Sequence, residues 1–122
     1  MAKRGSAIVT LQISNRQSAE IVILTLQGRA TIGPDSDLLN SYLRKLIGDG
    51  MRNVLLDMAG LTQIDSSSLA TIVRAYVSLR RQGGDLKLLK PCGSVKLVFE
   101  TFHLLDAIPH YEDEAQAVAS FR

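Results

Sequence analysis

The chain has 122 residues and a mass of 13.3 kDa, which is enough for one domain with one hydrophobic core. Hydrophobic residues make up 46% of it and charged residues 21%, a composition that excludes a mainly disordered protein. Two histidines, one cysteine and no tryptophan leave few catalytic or metal-ligating side chains. No stretch reaches the ~18 consecutive apolar residues of a membrane helix, and no apolar segment follows Lys3 and Arg4 as in a secretory signal. We therefore expect a cytoplasmic protein that does not insert into a membrane.

The formal net charge is only +2, and it is distributed unevenly along the chain. Thirteen basic and eight acidic residues precede Asp106, whereas four acids and one base stand from Asp106 onward. Basic residues are not interleaved with aromatic ones, so direct binding of nucleic acid is not indicated. The distribution fits either a solvated surface or a surface that steers a protein partner.

The chain begins with two predicted strands. Apolar residues alternate within residues 7–13, which predicts a half-buried strand, and residues 14–19 are predicted to form a polar turn. A second and more buried strand is predicted over residues 21–27 and ends at Gly28. The short separation predicts that the two strands form an antiparallel hairpin.

A first helix and a third strand follow. The helix is predicted to begin at Pro34 or Asp35 and to end at Gly48, because apolar residues recur there at helical spacing. Asp35 and Asp37 stand near the positive end of its dipole. Residues 53–58 are almost continuously apolar, as in a strand that is covered on both faces.

The second half of the chain alternates between helices and strands. Helices are predicted over residues 66–82, 94–102 and 112–121, and strands over residues 85–89 and 108–111. The side chains predicted to face inward from the second and third helices are Leu69, Ile72, Val73, Tyr76, Val77, Leu79, Val95, Val98, Phe99 and Phe102.

The predicted order of elements is therefore ββαβαβαβα. Strands that alternate with helices imply right-handed crossovers and a mainly parallel sheet, here with an antiparallel pair at its start. The predicted fold class is α/β. One domain is expected over residues 6–120, after an N-terminal tail of residues 1–5.

The densest polar run lies at residues 63–69, between a buried strand and the second helix. In open α/β sheets, ligands and partners meet the protein at such strand-to-helix loops. Asp65 or Ser66 can cap the helix by accepting hydrogen bonds from its first N–H groups. A serine hydroxyl at this position can equally be a phosphoacceptor, since the helix dipole favours a phosphate there. Spacing alone leaves both interpretations open.

Catalytic and metal-binding patterns are weak in comparison. Ser66 is not within a Gly-x-Ser-x-Gly motif, and a triad would need His103 or His110, which stand beside apolar residues. The histidines, Glu112 and Asp113 match no familiar metal spacing, and no phosphate-binding glycine loop is present in the sequence. We expect no enzymatic activity, no metal and no cofactor, with a small serine hydrolase as an alternative.

Residues 55–69, LLDMAGLTQIDSSSL, resemble the signature of the bacterial anti-sigma factor antagonists, which are STAS-domain proteins. In that signature a buried strand ends in Asp, and a run Asp-Ser-Ser-Gly-Leu opens a helix. Residues 82–88 are similar to the family's helix stop and following strand, and residues 94–105 to its third helix. The resemblance covers residues 6–120 and implies a STAS-like fold with a mixed, mainly parallel sheet and about four helices.

The resemblance also implies a function. In such proteins the unphosphorylated antagonist binds an anti-sigma factor and frees the sigma factor, and so regulates transcription. The anti-sigma factor is also a serine kinase that phosphorylates the serine after the Asp, here Ser66, and ends the binding, while a serine phosphatase restores it. The implied contact residues are Asp65, Ser66, Ser67, Ser68 and Leu69, with Ser67 and Ser68 as secondary phosphoacceptors. The alternative is a STAS-type scaffold or transporter-associated subunit that binds its partners constitutively.

The sequence departs from the family pattern at two places. Ser68 stands where the family usually has Gly, and this adds a further hydroxyl beside the expected phosphoacceptor. After Gly28, where the family often carries an acid, the chain has Arg29, Ala30 and Thr31. The second departure predicts a different partner or weaker switching.

Overall fold

The computed structural model describes residues 10–121, which form a five-stranded sheet flanked by four helices. Its strands are β1 (Leu11–Ser18), β2 (Ile21–Ala30), β3 (Asn53–Ile64), β4 (Asp85–Leu89) and β5 (His110–Tyr111). Its helices are α1 (Pro34–Gly48), α2 (Ser66–Arg81), α3 (Gly93–Thr101) and α4 (Glu114–Ala119), with a 3-10 turn at Leu104–Asp106. The predicted order is confirmed, whereas the predicted tail and the first residues of the predicted domain lie outside the described residues.

The strands lie in the sheet in chain order, β1-β2-β3-β4-β5. β1 and β2 are antiparallel, and every other neighbouring pair is parallel. The predicted α/β class and the antiparallel pair at the start of the sheet are therefore confirmed. Since β2 and β3 run in the same direction, the loops that follow them meet at one edge of the sheet.

β1 extends further than the sequence predicts. Residues 14–18 are not a turn, because they pair with β2 as far as Ser18 opposite Ile21. Only Ala19 and Glu20 form the turn, with Ala19 at a φ of 56°. β1 is an edge strand and most of its side chains are exposed, so its polar residues do not need a turn to reach water. Residues 7–9 of the predicted strand lie outside the described residues.

β2 and β3 are also longer than predicted. β2 continues through Gly28 to Ala30, and β3 continues beyond Met58 to Ile64. Gly28 has a φ of +95°, and a Cβ atom there would lie 2.1 Å from the carbonyl oxygen of Thr10. Glycine therefore lets β2 bend without ending, and both strands reach the loops that carry the predicted site.

The main hydrophobic core lies between one face of the sheet and helices α1, α2 and α3. Two side chains predicted to face this core are instead on the surface, since Val77 is 40% and Phe102 58% exposed. Val77 lies between the buried residues Ala75 and Leu79, each two positions away, and two residues correspond to about 200° of rotation on a helix. Phe102 follows the last residue of α3 and so leaves the helix face that carries Phe99.

α4 covers the opposite face of the sheet over a second, smaller cluster of Ile21, Ile23, Leu55, Leu89 and Ala117. Lys87 of β4 is only 7% exposed there. Its Nζ donates hydrogen bonds to the carbonyl oxygen and the Oγ of Ser120, at 2.7 and 2.9 Å, and lies 4.7 Å from the centre of the Phe121 ring. A cation is thus buried at the C-terminal end of α4, where the helix dipole favours it.

The terminal helix is shorter than the predicted residues 112–121. Asp113 is its N-cap, and the Asp113 side chain accepts a hydrogen bond from the backbone N–H of Gln116 at 3.0 Å. Glu112 therefore precedes the helix, and only Glu114 lies in its first turn. No helix in the described part of the chain is long and apolar enough to cross a lipid bilayer.

Candidate functional site

The junction of β3 and α2 is tied to the end of β2 by its backbone. The N–H of Asp65 donates a hydrogen bond to the carbonyl oxygen of Ala30 at 3.0 Å. The carbonyl oxygen of Asp65 accepts the bond from the N–H of Leu69 at 2.9 Å, which closes the first turn of α2. Asp65 is extended and is the N-cap residue, so Ser66 is the first residue of the helix. The predicted start of the second helix at Ser66 is confirmed.

The Asp65 side chain does not cap the helix. Its Oδ2 accepts a hydrogen bond from the backbone N–H of Ile32 at 2.9 Å, across to the loop between β2 and α1. Within residues 10–121, no side-chain hydrogen bond caps the start of α2. The interpretation that the side chain of Asp65 or Ser66 caps the helix is therefore wrong, and the first backbone N–H groups of α2 have no side-chain acceptor among these residues.

The three serines at the start of α2 differ in exposure. Ser66 is exposed, Ser67 is half-buried and Ser68 has no exposed surface. The Oγ atoms of Ser67 and Ser68 are buried, and neither has a hydrogen-bond partner among residues 10–121. Of the three, Ser66 is the one at the surface, and the hydroxyls of Ser67 and Ser68 are shielded.

Burial also divides the five residues expected to contact a partner. Ser66 is exposed, and Asp65 and Ser67 are half-buried. Leu69 is 6% exposed and belongs to the main core, and Ser68 is enclosed beside it. Ser68 and Leu69 are therefore enclosed in this structure, and of these five residues only the first three have side chains at the surface.

Ile32 is the part of the site that the sequence analysis missed. Its side chain is 73% exposed, although it is large and apolar, and its N–H is held by Asp65. A single exposed apolar side chain is common on protein surfaces, so Ile32 is of interest here because of its position beside the loop that carries Ser66. The sequence feature that could have indicated it is an isolated apolar residue directly before Gly33 and Pro34, in a turn that belongs to no predicted buried face.

The loop that carries Ile32 is fixed by Asp35, which is 3% exposed. Its Oδ1 accepts hydrogen bonds from the N–H groups of Thr10 and Leu11, at 2.6 and 3.0 Å. Its Oδ2 accepts from the hydroxyls of Thr10 and Thr31, at 2.5 and 2.8 Å, and from the N–H of Thr31 at 3.3 Å. Burial alone would raise the pKa of Asp35, but these hydrogen bonds outweigh it and lower the pKa to about 2.

Asp35 and Asp65 together hold the two loops in one arrangement. Asp35 accepts a hydrogen bond from Thr31, which directly precedes Ile32. Asp65, which directly precedes Ser66, accepts a hydrogen bond from the N–H of Ile32. Thr31, one of the three residues that follow Gly28, thus donates its hydroxyl to Asp35. The arrangement presents one exposed hydroxyl and one exposed apolar side chain on a fixed backbone.

The remaining candidate residues lie elsewhere. His103 and His110 line a surface depression with Lys96, Glu100, Leu105 and Asp106, and Ser66 is not part of its lining. Cys92 is an exposed N-cap residue of α3. Within residues 10–121, no group of three or more His, Cys, Asp or Glu side chains is arranged to hold a metal ion.

Comparison with known proteins identifies the family. The family model described as "STAS domain" matches residues 12–117, which is most of the chain. This chain belongs to the STAS domain family. The predicted fold is thereby confirmed, and the resemblance seen in the sequence is confirmed at the level of the family.

Solved structures with the same fold include anti-sigma factor antagonists. The Thermotoga maritima protein TM1081 matches with a TM-score of 0.84 and 22% identity, over 90% of this chain and 94% of that one. An anti-sigma factor antagonist from Mycobacterium paratuberculosis matches with a TM-score of 0.81 and 14% identity, over 96% and 98%. The anti-sigma factor antagonist SpoIIAA matches in its unphosphorylated form with a TM-score of 0.70 and 16% identity, over 90% and 94%. SpoIIAA of Bacillus in its phosphorylated form matches with a TM-score of 0.70 and 19% identity, over 92% and 99%. At these identities the likeness establishes the shared fold.

Proposed function

We propose that this protein is an anti-sigma factor antagonist whose binding is switched off by phosphorylation of Ser66. Its partner is an anti-sigma factor with serine kinase activity, and a serine phosphatase reverses the modification. Membership of the STAS family and the similarity to structures of antagonists, one of them solved with and without phosphate, support this proposal. The chain itself supplies a binding surface, and the kinase and phosphatase carry out the chemistry.

The observation that carries the proposal is the position of Ser66. Ser66 is exposed and is the first residue of a 16-residue helix whose start has no side-chain cap. A phosphate on its Oγ would lie at the positive end of the helix dipole, beside backbone N–H groups that have no side-chain acceptor. The fold can therefore accept the phosphate at this residue without unfolding α2.

The same position explains how a phosphate would change binding. Phosphorylation adds about two negative charges next to the Asp65 carboxylate. That carboxylate binds the N–H of Ile32, so the new charge stands close to the exposed Ile32 side chain. A partner that contacts Ile32 with an apolar surface would have to desolvate the phosphate or lose the contact, and either effect weakens binding.

The direct test is phosphorylation of the full chain by the serine kinase of its host, followed by mass spectrometry. We expect a single phosphate on Ser66, and none on Ser67 or Ser68, because only the Ser66 hydroxyl is exposed. Ser66→Ala should remain unmodified and serves as the matched control. A chain that stays unmodified while it forms a stable complex indifferent to substitution of Ser66 would instead indicate the constitutive scaffold.

A further inference from the structure

A groove of about 570 Å³ runs between α1 and α2. Its floor is formed by Leu43, Thr71 and Ala75, which are buried, while the half-buried side chains of Ile47, Asn40 and Ser78 line it nearer the surface. This size falls within the range of surface cavities that bind ligands or side chains of a partner. On α2 the groove begins at Thr71, five residues after Ser66, so it is separate from the phosphorylation site.

Two arginines line the groove from opposite sides, Arg44 from α1 and Arg74 from α2. Arg74 Nη2 donates a hydrogen bond to Thr71 Oγ1 at 3.2 Å, and Thr71 in turn donates to the carbonyl oxygen of Ser67 at 3.1 Å. The guanidinium of Arg74 is therefore oriented by its own helix. Among the residues that the structure describes, no Asp or Glu lines the groove.

The ion pairs of the two helices leave these arginines without a counter-charge. Lys45 pairs with Asp49 at 3.1 Å, and Arg80 pairs with Asp85 at 3.3 Å. Within residues 10–121, neither Arg44 nor Arg74 is within ion-pair distance of a carboxylate. α2 contains three arginines and no acidic residue, so the positive potential along the groove is not offset by its own helix.

We propose that the groove between α1 and α2 binds an acidic amphipathic helix of a partner protein. Apolar side chains of that helix would lie on Ile47 and on the aliphatic stems of Arg44 and Arg74, and its carboxylates would pair with the two guanidinium groups. From Thr71 to Ser78 the groove extends over about 10 Å of α2, which matches about two turns of a bound helix. This inference does not depend on phosphorylation, since none of these contacts involves Ser66.

The test uses the full chain labelled with ¹⁵N and two synthetic peptides. The first is a 14-residue amphipathic helix with a leucine stripe flanked by glutamates, and the control peptide has lysine in place of every glutamate. We expect only the glutamate peptide to bind, with the amide shifts concentrated on the residues that line the groove. Raising NaCl from about 50 to about 300 mM should weaken this binding, because surface charge pairs are screened by salt.

Variants separate this proposal from the switch. Replacing both Arg44→Ala and Arg74→Ala should weaken peptide binding at least tenfold, whereas Lys45→Ala, on the same helix but outside the groove, should change it less than threefold. Ser66→Ala should bind the peptide as the unchanged protein does. The proposal is overturned if both peptides bind alike, if neither binds at 1 mM, or if the shifts lie elsewhere. The proposal is also overturned if inorganic phosphate alone produces the same amide shifts to saturation, or if those shifts arise from self-association of the chain.

Discussion

Replacing Asp35 by Asn tests how the loop beside Ser66 is held in place. Oδ1 of Asp35 accepts two backbone N–H groups, from Thr10 and Leu11, while Oδ2 accepts two hydroxyls and one N–H. The better orientation of an Asn side chain keeps its oxygen on the two N–H groups and places its NH₂ towards the threonine hydroxyls, which can rotate to accept. The N–H of Thr31 then faces a donor and loses its partner.

The magnitude follows from the pKa of Asp35, which is lowered from 3.8 to about 2. Each unit of difference in pKa between the unfolded and folded states corresponds to about 1.4 kcal/mol, so the ionised carboxylate contributes about 2 kcal/mol at neutral pH. Because the folded-state pKa is the lower one, this stabilisation is complete above the unfolded-state value. It is lost as the pH falls from about 4 towards 2.

We therefore expect Asp35→Asn to lower the free energy of unfolding at pH 7 by about 2–3 kcal/mol. The difference in the free energy of unfolding between this variant and the unchanged protein should be about 1 kcal/mol smaller at pH 3, where part of the carboxylate stabilisation is already lost. Urea unfolding followed by circular dichroism at both pH values measures the free energy of unfolding of the two proteins. Asp37→Asn, at an exposed position in the same helical turn, is the matched control. A difference that stays constant between pH 7 and pH 3 would refute the assignment of this stabilisation to the ionised carboxylate.

Substitutions at three further positions test other parts of the structure. Ser66→Asp should weaken binding to the anti-sigma factor at least tenfold, about 1.4 kcal/mol, while Ser66→Ala binds fully; equal affinities in a calorimetric titration would contradict the switch. Ser68→Ala should raise the free energy of unfolding by about 1 kcal/mol in urea titrations, because the buried hydroxyl has no partner, and a loss of stability would show that the hydroxyl is satisfied. Lys87→Met should speed amide exchange in α4 at least about tenfold, because it removes the hydrogen bonds to Ser120; unchanged exchange would show that apolar packing alone holds the helix.

The elements predicted best from the sequence are those with strong local patterns. α1 and α2 have apolar residues at helical spacing and end near glycines, and β4 matches its predicted range of residues 85–89. β1 was predicted poorly because an edge strand buries little, so polarity at Ser14–Ser18 indicated a turn where pairing with β2 continues the strand. Pairing between strands is a non-local interaction, and a local pattern cannot report it.

The site shows the same division between local and non-local information. The exposed Ser66 at the start of α2 follows from the local sequence, and its position was predicted. The role of Asp35 could not be predicted in this way. The sequence indicated only that its carboxylate lies favourably near the positive end of a helix dipole, whereas its shortest hydrogen bonds come from Thr10, which is 25 residues away. Likewise, nothing local distinguishes the buried Ser68 from the exposed Ser66, because burial depends on how the helix packs against the core.

The coupling between the two loops bears on how the proposed phosphorylation of Ser66 would act on a partner. Asp65 is joined to β2 through its own N–H and to Ile32 through its carboxylate, so neither bond depends on the Ile32 side chain. A charge added at Ser66 acts on that carboxylate directly, because the two residues are adjacent. The apolar side chain of Ile32 and the charge at Ser66 are therefore presented to a partner together, on a backbone that the sheet and Asp35 hold fixed. A binding module built in this way needs no change of fold to be switched, only a change in the charge beside its apolar contact.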